Sequence, residues 1–400
     1  MKKSYEFFDI LFLIIITGAI TGFFINIGKK SFINLINIIL VVLYILMLIR
    51  LITKKRLKFN YYSIVVLIVL ICYLLVNAII SENTDNSFEE FFNVLLNIMY
   101  AYGLYNIYKS EELVYLMRKS FDFIMIGSFF SSILLPLYCT YYDILYQEIV
   151  WRGLFTHKNT LGNMAAFYIL LLIIEKGRKK KLIFLLKILM ALLILVLTKS
   201  HTPMYILLVC IIYLSIKKFI NKDLAWEIFW IVNLFNYFII FKFELVQKVL
   251  NAFNVDPTIS GRSTIYEIVK SNIKQSIYFG HGLGATWNNN DLFINSIYNY
   301  VGFNPNSSHN AYLDFALSIG IIGVIIIIIM LTSIFFTNKY KFIYRDGEYD
   351  IVVFILFLLM MSLFESTLTN LNHVYGIVLI YTFLKLTENK KKLLYLRLRG

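Results

Sequence analysis

The sequence predicts an all-α fold, a polytopic bundle of transmembrane helices. Three observations lead there. Of 400 residues, 59% are hydrophobic and only 16% charged, whereas a soluble domain is about half apolar and a quarter charged. Mean hydropathy is +0.73. Apolar runs of roughly 18 residues or more recur along the chain, each long enough for a helix to cross a ~30 Å hydrocarbon core. The short alternating strands that mark a membrane barrel are not what this pattern shows.

The expected spans, in order, are 7–27, 31–52, 61–80, 88–107, 119–138, 159–175, 182–198, 203–219, 224–241, 309–336, 349–368 and 373–387, about twelve in all. The first lacks a small-residue cleavage pattern after it and reads as a retained span. The fourth carries Glu89, Glu90, Asn93 and Asn97, and the sixth is short. Together they predict a single integral membrane domain over 1–400, with one long loop at 242–308. Cys72 and Cys210 lie inside apolar runs, and with Cys139 the odd count gives neither a disulfide framework nor a metal cluster.

A net charge of +14 suits basic cytoplasmic loops rather than nucleic acid. Alternate loops divide cleanly. One set holds Lys54, Lys55, Arg56 and Lys58, then Lys109, Arg118 and Lys119, then the run from Lys176 to Lys181. It continues through Lys217, Lys218 and Lys222, Lys339, Lys341 and Arg345, and the tail "NKKKLLYLRLRG". The other set holds "SENTDNS", "CTYYDILYQEIVWRGLFTH", "KSHT", the 242–308 segment and "STLTNLN"; only Lys29 and Lys30 run against the pattern. The positive-inside rule therefore predicts a multi-pass protein of the plasma (inner) membrane with both termini cytoplasmic. Arg152, His157, Asn159, His201, Arg262, His309, Asn310 and Glu365 then fall on the outer side or in the outer end of a helix.

Within the long loop, "TISGRSTIYEIVKSNIKQSIYFG" predicts a surface helix. Thr258 or Ser260 can cap it; Ile265, Ile268, Val269, Ile273 and Ile277 share one face; Gly280 ends it. Arg262 sits in its first turn, at the positive end of the helix dipole. A cation beside free N–H groups suits an anion such as phosphate. The glycines that follow, Gly280, Gly282 and Gly284, read as turn chemistry or as a phosphate cradle, and match neither a dinucleotide-binding nor a Walker pattern. Ser307 or Ser308 can cap the tenth span, which His309 opens.

Three stretches, "RGLFTHKNTLGN", "SGRSTIYEIVKSNIKQSIYFGHGLG" and "SSHNAYLDFALSIGIIG", resemble in order and spacing the recognised blocks of the O-antigen ligase and O-antigen polymerase superfamily. The resemblance covers about Trp151 to Gly323. It implies a GT-C-like membrane glycosyltransferase that takes a glycan from an undecaprenyl-diphosphate carrier and joins it to an acceptor hydroxyl outside the cytoplasm. Polymerases pass the glycan to another carrier-linked repeat, ligases to lipid A core. Implied partners are the undecaprenyl-diphosphate-linked oligosaccharide, membrane lipids, and a chain-length regulator and flippase of the same pathway. By motif position, Arg152 and Arg262 correspond to the diphosphate-contacting arginines and His309 to the catalytic histidine. Two departures stand out: Ser200-His201 where the family often has Ser-Arg, and Lys158-Asn159 where it often has Pro-Asn.

The chemistry asks for these residue types. Displacing a diphosphate from an anomeric carbon needs a counter-charge and a proton acceptor. Arginine forks fit phosphate oxygens, and histidine is a suitable general base. The predicted outer segments hold no Asp-x-Asp pair or His/Cys cluster, which favours metal-independent transfer without a cofactor. Asn159, Lys158, Asn310, His201 and Glu365 complete the candidate substrate-binding set. Blander readings stand beside these: a snorkelling Arg152, a headgroup-touching His309, a helix-capping Asn159, and boundary roles for His157 and Lys158. Glu365 is an ionisable group near a span end and therefore a functional candidate. Asp314 lies about 140° round the helix from His309, so it cannot simply buttress that residue from its own helix. A polymerase of surface-polysaccharide repeats, of capsule or O-antigen type, is the leading expectation. A ligase is the alternative, and a transporter fits less well because mid-span charges and repeated halves are lacking.

Overall fold

The computed structural model describes residues 2–54, 56–143, 147–175, 181–216, 227–228, 230–235, 262–287, 291–301, 305–340, 351–366, 369 and 371–388. Its elements in chain order are α1 (Lys2–Ile16), α2 (Ala19–Asn26), α3 (Ser31–Thr53), α4 (Tyr61–Ile79), α5 (Thr84–Ile107), α6 (Ser110–Leu134) and α7 (Pro136–Cys139). Next come the strands β1 (Thr140–Asp143) and β2 (Glu148–Trp151), then α8 (Lys158–Ile174), α9 (Lys181–Leu197) and α10 (His201–Ile216). The rest are α11 (Arg262–Ile273), α12 (Asp291–Val301), α13 (Ala311–Tyr340), α14 (Val352–Met361) and α15 (Val374–Leu386).

Helix dominates because a helix satisfies its backbone polar groups internally, as hydrocarbon requires. Among the described residues three helices, α3, α4 and Ala311–Ile334 of α13, are long and apolar enough to cross a membrane. A fourth crossing is available to α1 and α2 together, which meet at a 50° bend. The bend follows from Gly18, whose φ of 73° no helix continues through. α8, α10, α14 and α15 are shorter apolar helices. The predicted spans within the described residues overlap helices, 7–27 as the two helices α1 and α2 and 349–368 only over the ten residues of α14, and the described residues are those of an all-α integral membrane protein with one short hairpin. The 224–241 span lies mostly outside the described residues. The short antiparallel pair β1–β2, Thr140 opposite Trp151 and Asp143 opposite Glu148, had not been anticipated.

The described chain divides into two compact units. The first comprises 1–57, 99–220 and 345–357. Its centre is α8, buried along almost its whole length; the Phe167 ring lies 5.0 Å from that of Phe354 and 5.5 Å from that of Phe357. Its buried charges are matched, as burial demands. Asp9 accepts hydrogen bonds from Tyr100 and Tyr108, both 2.6 Å, and an ion pair from Arg50 at 2.9 Å. Asp122 takes Lys187 at 2.6 Å, with Tyr168 and Arg118 also on its carboxylate.

The second unit comprises 58–98, 221–344 and 358–400. Its central feature is a break inside α13 at Gly320, where φ is 61° and ψ −177°. That conformation is essentially restricted to glycine. The carbonyls and N–H groups freed by the break are taken up by the glycine-rich loop. His281 N–H donates to Leu317 O at 2.8 Å, Gly282 N–H to Ser318 O at 2.9 Å, and Ile321 N–H to Ile277 O at 2.9 Å. From α4, Tyr73 OH donates to Ile319 O at 2.5 Å and Asn77 Nδ2 to Phe279 O at 2.7 Å. Gly280 allows this close backbone approach, a Cβ there lying 2.6 Å from Gly320 N and Ser318 O, while Gly282 and Gly284 make room for the side chains of Ser81 and Glu90; with the Gly280 and Gly282 N–H groups given to Ser276 O and Ser318 O, the loop favours turn chemistry.

Candidate active site

α13 starts at a tight turn. Asn310 Oδ1 accepts the N–H groups of Tyr312 and Leu313, both at 3.1 Å, so Asn310 is the N-cap. Ser307 and Ser308, the caps expected from sequence, instead shape the turn before it. Ser307 Oγ accepts His309 N–H at 3.3 Å; Ser308 Oγ accepts Asn310 N–H at 3.2 Å and donates to Asn310 O at 2.9 Å. His309 is left with φ of 58°, in the left-handed region, which costs a residue with a Cβ about 1 kcal/mol or more.

Glu365 arrives from the turn that follows α14; its N–H donates to Met361 O at 2.8 Å. Its Oε2 lies 3.3 Å from His309 Nδ1, and its Oε1 3.8 Å from Nη2 of Arg262, the first residue of α11. One carboxylate thus stands between an imidazole and a guanidinium. The side chains are 26% (His309), 14% (Glu365) and 15% (Arg262) exposed, sheltered yet reachable. With Nδ1 facing a carboxylate, the ring's proton is assigned to Nδ1 and Nε2 is left as the proton acceptor. That is the orienting role a carboxylate plays toward a catalytic histidine.

Tyr266, one turn beyond Arg262 on α11, is buried and escaped the sequence reading. Burial pushes its phenol up to about 12, with Arg262 pulling it down and Asp314 and Glu365 pushing it further up. It is a neutral phenol in the field of all three. His281 is held elsewhere in this unit, with Nδ1 2.6 Å from Glu82 Oε1 and Nε2 3.0 Å from Asn272 O.

The remaining candidates lie in the first unit. Behind the β1–β2 hairpin, the N–H groups of Arg152 and Gly153 both donate to Cys139 O, at 2.9 and 3.0 Å. Arg152 Nε donates to Tyr138 O at 3.1 Å, and its guanidinium lies 5.6 Å from the centre of the Tyr141 ring. His157 caps α8, its Nδ1 accepting Asn159 N–H at 3.2 Å. Asn159, the expected cap, instead accepts the Ser200 hydroxyl at 3.1 Å. Lys158 Nζ pairs with Asp143 Oδ2 at 2.6 Å, with side chains only 8% and 10% exposed, so it ties the hairpin to α8. His201 is exposed at the first turn of α10. The structure therefore brings Arg262, His309 and Glu365 together, commits Asn310 and Lys158 to packing, and places Arg152, Asn159 and His201 in the first unit.

Residues 159–328 match the family model described as O-antigen ligase. The match supports the O-antigen ligase and polymerase superfamily, whose members are membrane glycosyltransferase-like enzymes. Among curated proteins none matches the chain. The matched segment takes in Asn159, His201, Arg262, His309 and Asn310, while Arg152 precedes it and Glu365 follows it.

Proposed function

We propose that the protein polymerises lipid-linked polysaccharide repeat units at the outer face of the plasma membrane, in capsule or O-antigen assembly. The observation that carries this reading is the His309–Glu365–Arg262 arrangement, with its oriented imidazole beside a guanidinium. His309 Nε2 accepts the proton of the acceptor sugar hydroxyl as its oxygen attacks the anomeric carbon. The bond from that carbon to the carrier phosphate breaks, and undecaprenyl diphosphate leaves with the bonding pair. Glu365 stabilises the imidazolium, which then gives its proton to water. Arg262 meets the charge that grows on the diphosphate, a term worth several kcal/mol in a sheltered site. Arg152 is assigned a donor-diphosphate role on its motif position alone. In this reading the arginines do the work of a metal, both termini are cytoplasmic, and the 242–308 loop is extracytoplasmic.

A ligase reading is favoured by the family description itself. The chemistry is the same and the acceptor is lipid A core. Incubating purified protein with undecaprenyl-diphosphate-linked repeat units decides between them. A ladder of products supports the polymerase; transfer to lipid A core with no ladder supports the ligase.

A further inference from the structure

We propose that Asp314 is a positioning residue that holds His309 and Glu365 in register, an inference that rests on the catalytic reading above. Asp314 is buried on α13, yet its carboxylate is fully engaged by donors from three separate stretches. Oδ1 accepts the indole N–H of Trp287 and the backbone N–H of Ser308, both at 3.0 Å. Oδ2 accepts the hydroxyl of Ser366. Ser308 directly precedes His309, and Ser366 directly follows Glu365.

The carboxylate therefore grips the chain one residue before the base and one residue after its partner. The Ser308 contact also supports the left-handed backbone of His309, whose φ of 58° persists only where neighbours over-determine it. A buried carboxylate is costly unless its oxygens are satisfied, and here the satisfying groups are the ones whose placement sets the 3.3 Å gap between imidazole and Glu365. Asp314 reaches the site through backbone and hydroxyl groups. It acts on where the base sits and leaves substrate contacts untouched.

The test is steady-state kinetics of purified variants on lipid-linked repeat units, with His309→Ala as the reference. Asp314→Ala should lower kcat by about tenfold to a hundredfold, the scale of an ångström-size misplacement, with KM for the donor within about twofold. Asp314→Asn keeps an oxygen for Trp287 and Ser308 and an amide that the Ser366 hydroxyl can accept, so it should recover most of the lost kcat. Ser366→Ala, which frees only the Glu365 side, should fall between and serves if Asp314→Ala does not accumulate. Asp314→Asn as inactive as the alanine variant would assign the carboxylate's charge, not its geometry, and overturn the proposal. Wild-type kcat in Asp314→Ala, or in Ser366→Ala when that variant stands in, would overturn it too. An active His309→Ala would instead overturn the catalytic reading, so the two failures are distinct.

Discussion

His309 Nδ1 and Glu365 Oε2 stand 3.3 Å apart although 56 residues separate them in the chain. A carboxylate at that nitrogen fixes the imidazole's orientation and stabilises its charged form once it has taken a proton. Glu365→Gln retains a hydrogen-bonding side chain but not the charge. We expect kcat to fall by roughly 10² to 10⁴ with little change in KM, as read from initial rates on lipid-linked repeats. Rates within a factor of about two of wild type would remove Glu365 from the mechanism.

Arg262 is expected to act as a fork. Arg262→Lys keeps the charge but loses bidentate geometry, so kcat/KM for the lipid-linked donor should drop at least about tenfold. Chelation should do little, because the cation is a side chain. Initial rates with and without EDTA check this; loss of activity on EDTA, restored by one divalent ion, would assign the counter-charge to a metal.

Gly320 should not tolerate a side chain. Its φ of 61° and ψ of −177° exclude other residues, and a Cβ there would lie 2.3 Å from Tyr278 O. Gly320→Ala should destabilise the protein by about 1–3 kcal/mol or more, seen as a lower melting temperature in detergent. An unchanged melting temperature would show that the glycine loop does not depend on the α13 break.

These elements differ in how far the sequence alone revealed them. Arg262 and His309 stood out because charged groups in a greasy chain must be accounted for, and Glu365 because it lies at the end of an apolar run. Tyr266 did not, since a tyrosine among isoleucines on one helix face reads as core. Helical arithmetic gave Asp314 no simple buttressing role toward His309, and its route through Ser308 and Ser366 depends on contacts between distant segments. Two helix caps slipped by two or three residues, to His157 and Asn310, because a cap is decided by backbone angles that many polar residues nearby can serve. The glycine loop stayed ambiguous for the same reason: its partners are the carbonyls of Leu317 and Ser318, a whole loop away. The β1–β2 hairpin carries β-favouring "TYYD" and "EIVW", but strands this short are hard to separate from a connector.

Loop charge predicts the outer side for the α11 region. Ser271 is exposed on α11. A cysteine placed there, in a Cys72→Ser background because Cys72 is the exposed native thiol among the three, should react with a membrane-impermeant thiol reagent in intact cells, after outer-membrane permeabilisation where one exists. Labelling only after lysis would put the site on the cytoplasmic side and remove it from outer-face glycan assembly.

His309 is proposed as the base. The most direct measurement is in vitro polymerisation of undecaprenyl-diphosphate-linked repeat units by purified His309→Ala, read as a ladder on a gel beside wild type. The variant should insert, purify and melt like wild type, because its imidazole is part-exposed and holds no helix end, and it should give no ladder. A near-normal ladder from His309→Ala would show that another group takes the proton.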